Sequence, residues 1–372
     1  VYTALFLSRP DDTSNDTSSV NISLFSELLS EMLQNQLPDE AREFFNSSRL
    51  IALHKDPTNN LKLRPIAIGS GIRRLLCGHI SRVFRPYFSK FLAPYQWGMG
   101  IPNGMDFVYL TTSALVDKYI SRSETTMQND SPTRALVQLD LKNMFNSVSR
   151  VKARQLIGQH FRHLLPLFDL MYKLPPKVWY QLPEGTWDHF LQIEGFPQGC
   201  PLSPFFSALV LHCILEELDR ELRQRASERL TSKDLGDDGL GGVTDIFAFL
   251  DDTSSVVPYD DLLYMFQRFV ELGTSLGCHL APGKCTILTS TCSISPAAYL
   301  SERHRTELHT VLTTYCGGPS GELVKGTRLL GYPLGNTEFG SAFHYRAVNN
   351  LKKMDGNAQP SYFRSSNSIS VI

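Results

Sequence analysis

Two adjacent carboxylates, Asp251-Asp252, lie at the predicted turn of a short hairpin with apolar flanks. Segments 245–250 and 253–257 are rich in aromatic and β-branched residues, a pattern typical of two paired strands. Like charges in a turn repel each other, and tight turns ordinarily prefer Asn-Gly or Asp-Gly. The flanking segments supply no Lys or Arg. A divalent cation would relieve the repulsion, because Mg²⁺ takes carboxylate oxygens and few protein ligands. A solvated turn is the alternative.

A third carboxylate has the same setting. Asp140 ends the apolar segment 135–140, which is predicted to be a strand. If the two strand ends meet at one edge of a sheet, the carboxylates would form the cradle that two-metal phosphoryl transfer uses, with ions about 3.5–4 Å apart. Spacing in the sequence leaves open whether they meet.

The order of the predicted elements favours an α+β fold over a doubly wound sheet, because helices and strands alternate around an antiparallel hairpin. The predicted strands are 50–53, 62–68, 135–140, two between 178 and 194, 245–250, 253–257, 286–288 and 329–333. The predicted helices are 22–34, 39–47, 71–92, 104–120, 149–173, 202–226 and 259–276.

Composition narrows the class of protein. Apolar residues make up 42% of the 372 residues and charged residues 20%, the balance of a soluble globular protein. The net charge of −1 excludes a histone-like basic protein. No stretch is long and apolar enough to cross a bilayer, so no membrane association is predicted. The seven cysteines contain no C-x-x-C pair, which favours reduced thiols and an intracellular location, in the nucleus or the cytoplasm.

A basic stretch with interspersed aromatic residues lies between Asp56 and Asp106, where the sequence has no acidic residue. Its basic residues are Lys62, Arg64, Arg73, Arg74, Arg82, Arg85 and Lys90, and its aromatic residues include Tyr87, Tyr95 and Trp97. Such a stretch suits contacts to a nucleic-acid backbone with occasional base stacking. A solvated helix face is the alternative, although such faces usually mix charges of both signs.

Seven segments, in chain order, resemble the motifs of reverse transcriptases. The matching segments are 63–66 (LRPI, a fingers strand), 96–100 (QWGMG), 139–148 (LDLKNMFNSV, motif A), 195–204 (GFPQGCPLSP, motif B), 248–252 (AFLDD, motif C), 276–284 (LGCHLAPGK, motif D) and 329–335 (LLGYPLG, motif E). The resemblance covers about residues 48–335. The QWGMG segment resembles a stretch common in retrotransposons without long terminal repeats, so the chain is similar to the enzymes of those elements.

The resemblance implies a right-hand polymerase architecture: an α+β fingers-palm unit with an antiparallel palm sheet flanked by helices and a truncated thumb. Leu250 departs from many relatives of this type, which carry Ala there. The expected units are an N-terminal lead-in with short helices (1–47), fingers (48–120), palm with some fingers elements (121–335) and an incomplete thumb or disordered tail (336–372).

The resemblance also implies a reaction: RNA-templated synthesis of DNA from deoxynucleoside triphosphates, with an RNA template and a DNA primer as partners. Two Mg²⁺ ions, or Mn²⁺ in their place, would be the cofactors. By this resemblance Asp140 and Asp251 ligate both ions and Asp252 supports them. The sequence does not identify protein partners.

Further residues receive roles from the same resemblance. Lys55 and Arg64 would clamp phosphates, Gln198 and Gly199 would lie under the incoming base and template, and Lys284 would protonate the leaving pyrophosphate. Arg73, Arg74, Arg82, Arg85 and Trp97 are the predicted nucleic-acid contacts.

Phe145 follows Asp140 by five residues, at the substrate-selecting position of the family. An aromatic ring there fills the space that a ribose 2′-hydroxyl would need, and ordinary core packing is the alternative. Two other functions stay open: a catalytically silent, polymerase-like nucleic-acid scaffold, and an RNA-templated RNA polymerase, which Phe145 disfavours.

Overall fold

The computed structural model describes residues 37–54, 63–121, 133–232, 245–292 and 298–357, with a few residues between 27 and 34. The strands are β1 (Ser48–His54), β2 (Leu63–Gly69), β3 (Arg134–Leu139), β4 (Lys177–Gln181), β5 (Trp187–Leu191), β6 (Asp245–Phe249), β7 (Asp252–Pro258), β8 (Thr286–Ser290), β9 (Glu322–Val324), β10 (Gly326–Leu329) and β11 (Tyr332–Gly335). The helices are α1 (Asp39–Asn46), α2 (Gly71–Leu92), α3 (Gly104–Tyr119), α4 (Met144–Ser147), α5 (Arg150–His160), α6 (Leu165–Tyr172), α7 (Ser203–Ser232), α8 (Tyr259–Thr274), α9 (Glu302–Tyr315) and α10 (Thr337–Asn357).

A five-stranded sheet forms the centre of the molecule, in the order β6-β7-β3-β8-β9. The pairs β6–β7, β7–β3 and β3–β8 are antiparallel, and β9 joins β8 in parallel at the edge. A second sheet has the order β2-β1-β4-β5, and β10 and β11 form a separate hairpin. The predicted α+β class with an antiparallel sheet flanked by helices is confirmed.

The central strand β3 is buried on both faces. Ala135, Val137 and Leu139 belong to the large apolar cluster that includes residues of α7 and α8. Leu136 belongs to a smaller cluster with residues of α3, β10 and β11. Because successive side chains of a strand point to opposite faces, helices can cover both sides of the sheet and leave only its edges and strand ends for function.

The hairpin tip differs from the prediction by one residue. The turn consists of Leu250 and Asp251, and Asp252 already pairs with Phe249 as the first residue of β7. Leu250 has a φ of 60°. A two-residue hairpin loop requires such a positive φ, which the twist of the flanking strands favours.

The helices also differ from the prediction at several points. The helix predicted over 149–173 is two helices, α5 and α6, separated at Phe161, whose φ of −132° is not helical. Helix α9 was not predicted, because only a narrow stripe of its residues is buried. Residues 337–357, expected in an incomplete thumb or disordered tail, form α10, and Asn336 caps its start by accepting from the Phe339 amide at 2.8 Å.

Some predictions fall outside the residues that the structure describes. They include most of the helix predicted at 22–34 and the phosphate clamp assigned to Lys55. Within the described ranges, none of the helices has the length and hydropathy needed to cross a membrane.

Candidate active site

A cleft of about 500 Å³ opens at the end of the central sheet and collects most of the predicted site residues. Among the residues that line it are Arg64, Asp140, Phe145, Gln198, Gly199, Asp251, Asp252 and Lys284. These residues come from five separate segments of the chain. The structure therefore brings together residues that the sequence linked only by resemblance.

The register of β3 and β7 brings the carboxylates to the same end of the sheet. Leu139 pairs with Thr253, so Asp140 and Asp252 follow at the next position on each strand. Asp251 lies in the turn that joins β6 to β7. Asp140 and Asp251 are half-buried, and Asp252 is exposed at the first position of strand β7.

The loop before β8 approaches Asp140 through backbone hydrogen bonds. The amide of Ala281 donates to the Asp140 carbonyl at 2.8 Å, and the amide of Lys142 donates to the His279 carbonyl at 2.8 Å. This pairing brings Lys284, three residues further on, to the cleft. Its Nζ lies 3.6 Å from Asp140 Oδ1, with the two side chains 59% and 44% exposed. Both members of this ion pair are therefore solvated and accessible to other charged groups.

The loop that carries Gln198 and Gly199 is docked on strand β2. The Ala67 amide donates to the Gln198 carbonyl at 2.8 Å. Gly199 has a φ of 120°, and a Cβ at that residue would lie 2.8 Å from the Ala67 carbonyl oxygen. Only glycine fits this approach without strain. The docking places the loop beside Arg64, which is exposed on β2.

Phe145 lies on the short helix α4, directly after the Asp140 strand. It is half-buried and lines the cleft rather than the core. Its carbonyl accepts a hydrogen bond from the Phe196 amide, at the start of the loop that carries Gln198. The backbone of α4 is therefore tied to the opposite wall of the cleft.

Arg73 does not lie on the nucleic-acid face that was predicted for it. It is only 2% exposed. Its guanidinium donates to the Asn46 carbonyl at 2.9 Å and to the Tyr172 hydroxyl at 3.2 Å. Since a buried guanidinium with internal partners cannot reach a phosphate without unpacking the core, the expectation for Arg73 is corrected to a structural role.

The remaining basic residues of α2 lie at the surface. Arg74, Arg82 and Arg85 are exposed, and their spacing places them on one stripe of the helix. Trp97 is half-buried and stacks on Phe107, with ring centroids 3.8 Å apart. None of these four residues is among those that line the cleft.

Arg150 is a site-supporting residue that the sequence did not reveal. It is 7% exposed. Its Nε donates to the Gly195 carbonyl at 2.7 Å and its Nη1 to the Gln192 and Ile193 carbonyls at 2.6 and 3.0 Å. Burial lowers the pKa of this guanidinium to about 10. The sequence contained one sign of this role: a positive charge in the first turn of a helix is unfavourable, so Arg150 at the start of α5 suggests a partner nearby.

The donor groups of the cleft suit a hard divalent cation. Asp140 and Asp251 provide carboxylate oxygens, and Mg²⁺ is commonly held by one or two carboxylates together with substrate phosphates and water. Among the side chains that the structure describes, no three His, Cys, Asp or Glu groups lie close enough together to hold a metal ion by themselves. The fit is therefore to an ion that shares its ligands with a phosphate-bearing substrate.

Comparison with known families identifies the class of protein. The profile of the family described as reverse transcriptase (RNA-dependent DNA polymerase) matches residues 55–334. Because this match covers well over half of the chain, the chain belongs to that family. The predicted family and its fingers-palm fold are confirmed. The match does not distinguish retrotransposon enzymes from other members, so that finer resemblance stays a prediction.

Comparison with solved structures finds telomerases from two Candida species. Telomerase from Candida albicans, in complex with the TWJ fragment of telomeric RNA, is 9% identical with a TM-score of 0.49, over 84% of this chain and 50% of that one. Apo telomerase from Candida tropicalis is 12% identical with a TM-score of 0.40, over 72% of this chain and 48% of that one. The chain spans about half the length of these structures. No curated protein matches the chain.

The docking of the Gln198 loop leads to a stability prediction. We expect Gly199→Ala to lower the free energy of unfolding by about 1–3 kcal/mol, because the side chain is strained at a φ of 120° and collides with the Ala67 carbonyl. Urea unfolding of both proteins measures the change. Gly340→Ala is the control, since a Cβ there meets nothing within 4 Å. Equal effects of the two substitutions would contradict the docking.

Proposed function

We propose that this chain catalyses RNA-templated synthesis of DNA from deoxynucleoside triphosphates. The observation that carries the proposal is the single cleft lined by Asp140, Asp251, Asp252 and Phe145. Membership of the reverse transcriptase family supports the same reaction. The RNA template, the DNA primer and the nucleotide are the proposed partners, and the cell interior, in nucleus or cytoplasm, is the proposed location.

Asp140 and Asp251 would hold two Mg²⁺ ions, or Mn²⁺ in their place, with Asp252 supporting them. When bound, the ions polarise the primer 3′-hydroxyl and neutralise charge on the triphosphate. Carboxylates at the ends of paired strands suit this role, because the sheet fixes their spacing while the cleft leaves room for the nucleotide phosphates.

The other residues of the cleft bind and orient the substrate. Arg64 on β2, with Lys55 from the segment before it, would clamp phosphate oxygens, a role that suits the bidentate guanidinium. Gln198 and Gly199 would lie beneath the base and the template, where the absence of a side chain at Gly199 permits close approach. Lys284 would give its proton to the leaving pyrophosphate after it separates from Asp140.

The exposed stripe of α2 suits the backbone of the template. Arg74, Arg82 and Arg85 would contact phosphates, and Trp97 beside the hairpin would contribute an aromatic surface. We also propose the units predicted from the sequence: a lead-in over 1–47, fingers over 48–120, palm with some fingers elements over 121–335, and a thumb region over 336–372.

A catalytically silent nucleic-acid scaffold is the second candidate. It is favoured by the exposed Arg74, Arg82 and Arg85 of α2, which would bind a nucleic-acid backbone whether or not the cleft is active. An RNA-templated RNA polymerase is a weaker alternative, because Phe145 occupies the cleft beside Asp140.

Replacement of one carboxylate tests the proposed reaction. We expect Asp251→Asn to reduce primer extension on an RNA template at least about 100-fold, because metal stabilisation of transition-state charge is worth several kcal/mol. The fold should be retained, since the substitution is isosteric. Asp188→Asn, on the exposed edge strand β5, is the control and should retain activity. A parent chain that binds template and primer but extends nothing would favour the scaffold instead.

The gate role of Phe145 predicts a change in nucleotide selection. Phe145→Ala should allow incorporation of ribonucleotides that the parent rejects, with deoxynucleotide use largely retained. Because the ring is only half-buried, the stability loss should be smaller than the roughly 3–5 kcal/mol typical of a fully buried Phe. Steady-state incorporation of both nucleotide types provides the measurement. Phe44→Ala, which removes an exposed ring outside the cleft, is the control. A parent that already uses both nucleotides equally would exclude the gate.

The basic stripe predicts a salt effect. Replacing Arg82 and Arg85 with Ala should weaken template binding across sequences and reduce the salt slope by about one unit for each phosphate that is no longer neutralised. Binding isotherms at several salt concentrations give the slope. Arg220→Ala is the control, because Arg220 pairs with Glu217 on the outer face of α7. A slope that the double variant leaves unchanged would place the template elsewhere.

A further inference from the structure

The side chain of Gln96 holds the turn that carries Asp251. Its Oε1 accepts from the Leu250 amide at 2.7 Å and from the Gly98 amide at 3.0 Å. Its Nε2 donates to the Leu250 carbonyl at 3.0 Å. Gln96 is 2% exposed, so these three bonds form away from water, where a missing partner is unfavourable.

The backbone around Gln96 fixes the position of this side chain. The Ala248 amide donates to the Tyr95 carbonyl and the Trp97 amide donates to the Ala248 carbonyl, each at 2.8 Å. Gln96 thereby forms a parallel bridge with Ala248 on strand β6. The connection between α2 and α3 therefore runs along the hairpin like a short extra strand, and the side-chain amide of Gln96 reaches the turn.

The turn needs such support. Leu250 has a φ of 60°, a conformation that residues other than Gly adopt only when the surroundings hold it. The α2–α3 connection also lies very close to the turn, since a Cβ at Gly98 would lie 2.8 Å from the Leu250 amide nitrogen. A glycine at that position lets the connection come near enough for the amide of Gln96 to bond both backbone groups of Leu250.

We propose that Gln96 is a positioning residue that fixes the orientation of the Asp251-Asp252 turn for catalysis. The proposal rests on the proposed function of the cleft. Gln96 is outside the cleft lining and touches no reacting group; it acts only through the backbone of Leu250. The turn is therefore set by a hydrogen-bonded clamp from the α2–α3 connection as well as by the strand pairing of β6 and β7.

The test uses the 372-residue chain with Gln96→Met, which fills a similar volume but cannot replace the donor and acceptor of the amide. We expect kcat for deoxynucleotide addition to fall about 10- to 100-fold, because small misplacement of a reacting group has effects of that size. The KM for the nucleotide should be unchanged, since the residues that bind it are intact. Hydrogen exchange of the Leu250 amide should accelerate, and a melting curve checks that the chain is folded.

Two further variants sharpen the test. Gln181→Met is the matched control, because Gln181 also donates to a hairpin turn, at the Gly185 carbonyl, but lies in the four-stranded sheet and outside the cleft lining. Gly98→Ala keeps the Gln96 side chain but places a Cβ 2.8 Å from the Leu250 nitrogen and 3.1 Å from Gln96 Oε1. It should therefore also lower kcat and speed exchange at Leu250. The control should change neither quantity.

The outcomes separate this inference from the proposed function. Unchanged exchange at Leu250 in Gln96→Met, or an unchanged kcat in an active enzyme, would overturn the positioning role. If the parent chain makes no DNA, the proposed function fails and Mn²⁺ affinity, followed by electron paramagnetic resonance, replaces kcat. Weaker Mn²⁺ binding together with faster Leu250 exchange would then support the role, and an affinity equal to that of the parent would overturn it.

Discussion

The antiparallel register between β3 and β7 is the constraint on which the candidate site depends. It pairs Leu139 with Thr253 and thereby places Asp140 and Asp252 at the same end of the sheet. A slip by one residue would turn every side chain of β3 to the opposite face. Since Ala135, Leu136 and Val137 are fully buried between two apolar clusters, such a slip would exchange the side chains that pack into the two clusters and disrupt both. Core packing thus fixes where the carboxylates lie, although no carboxylate belongs to the core.

The walls of the cleft include irregular segments, and buried polar side chains hold these segments in place through hydrogen bonds to their backbone. Arg150 gathers the carbonyls of Gln192, Ile193 and Gly195, and Gln96 binds the turn at Leu250. A buried polar side chain is unfavourable unless its hydrogen bonds are made, so each of these groups stabilises essentially one arrangement of its loop. Apolar packing alone would tolerate small shifts of such loops, and the site requires that they do not shift.

The sequence predicted the parts of the site that follow from local pattern. Alternating and apolar runs around Asp140 and Asp251 revealed both strands, and turn chemistry located the hairpin to within one residue. The sequence could not predict that Arg73 is buried, because a basic residue on a helix gives no local sign that it will pack against Tyr172. Helix α10 was missed for a related reason: most of its side chains up to residue 349 are exposed, so it lacks the apolar period that reveals a packed helix. Predictions therefore failed where contacts distant in sequence decide the outcome, as for Arg73, and where a helix has no apolar period, as for α10.

The polar side chains in and around the cleft differ in how firmly they are held, and the difference fits their proposed roles. Gln96 and Arg150 are buried and bonded to backbone, so moving them would leave several polar groups without partners. Lys284 is 59% exposed and lies 3.6 Å from Asp140. A pair this exposed contributes about 0–1 kcal/mol, which a substrate phosphate can readily offset. The positions of the carboxylates are therefore fixed by the fold, whereas the proposed proton donor is free to leave its partner when a nucleotide binds.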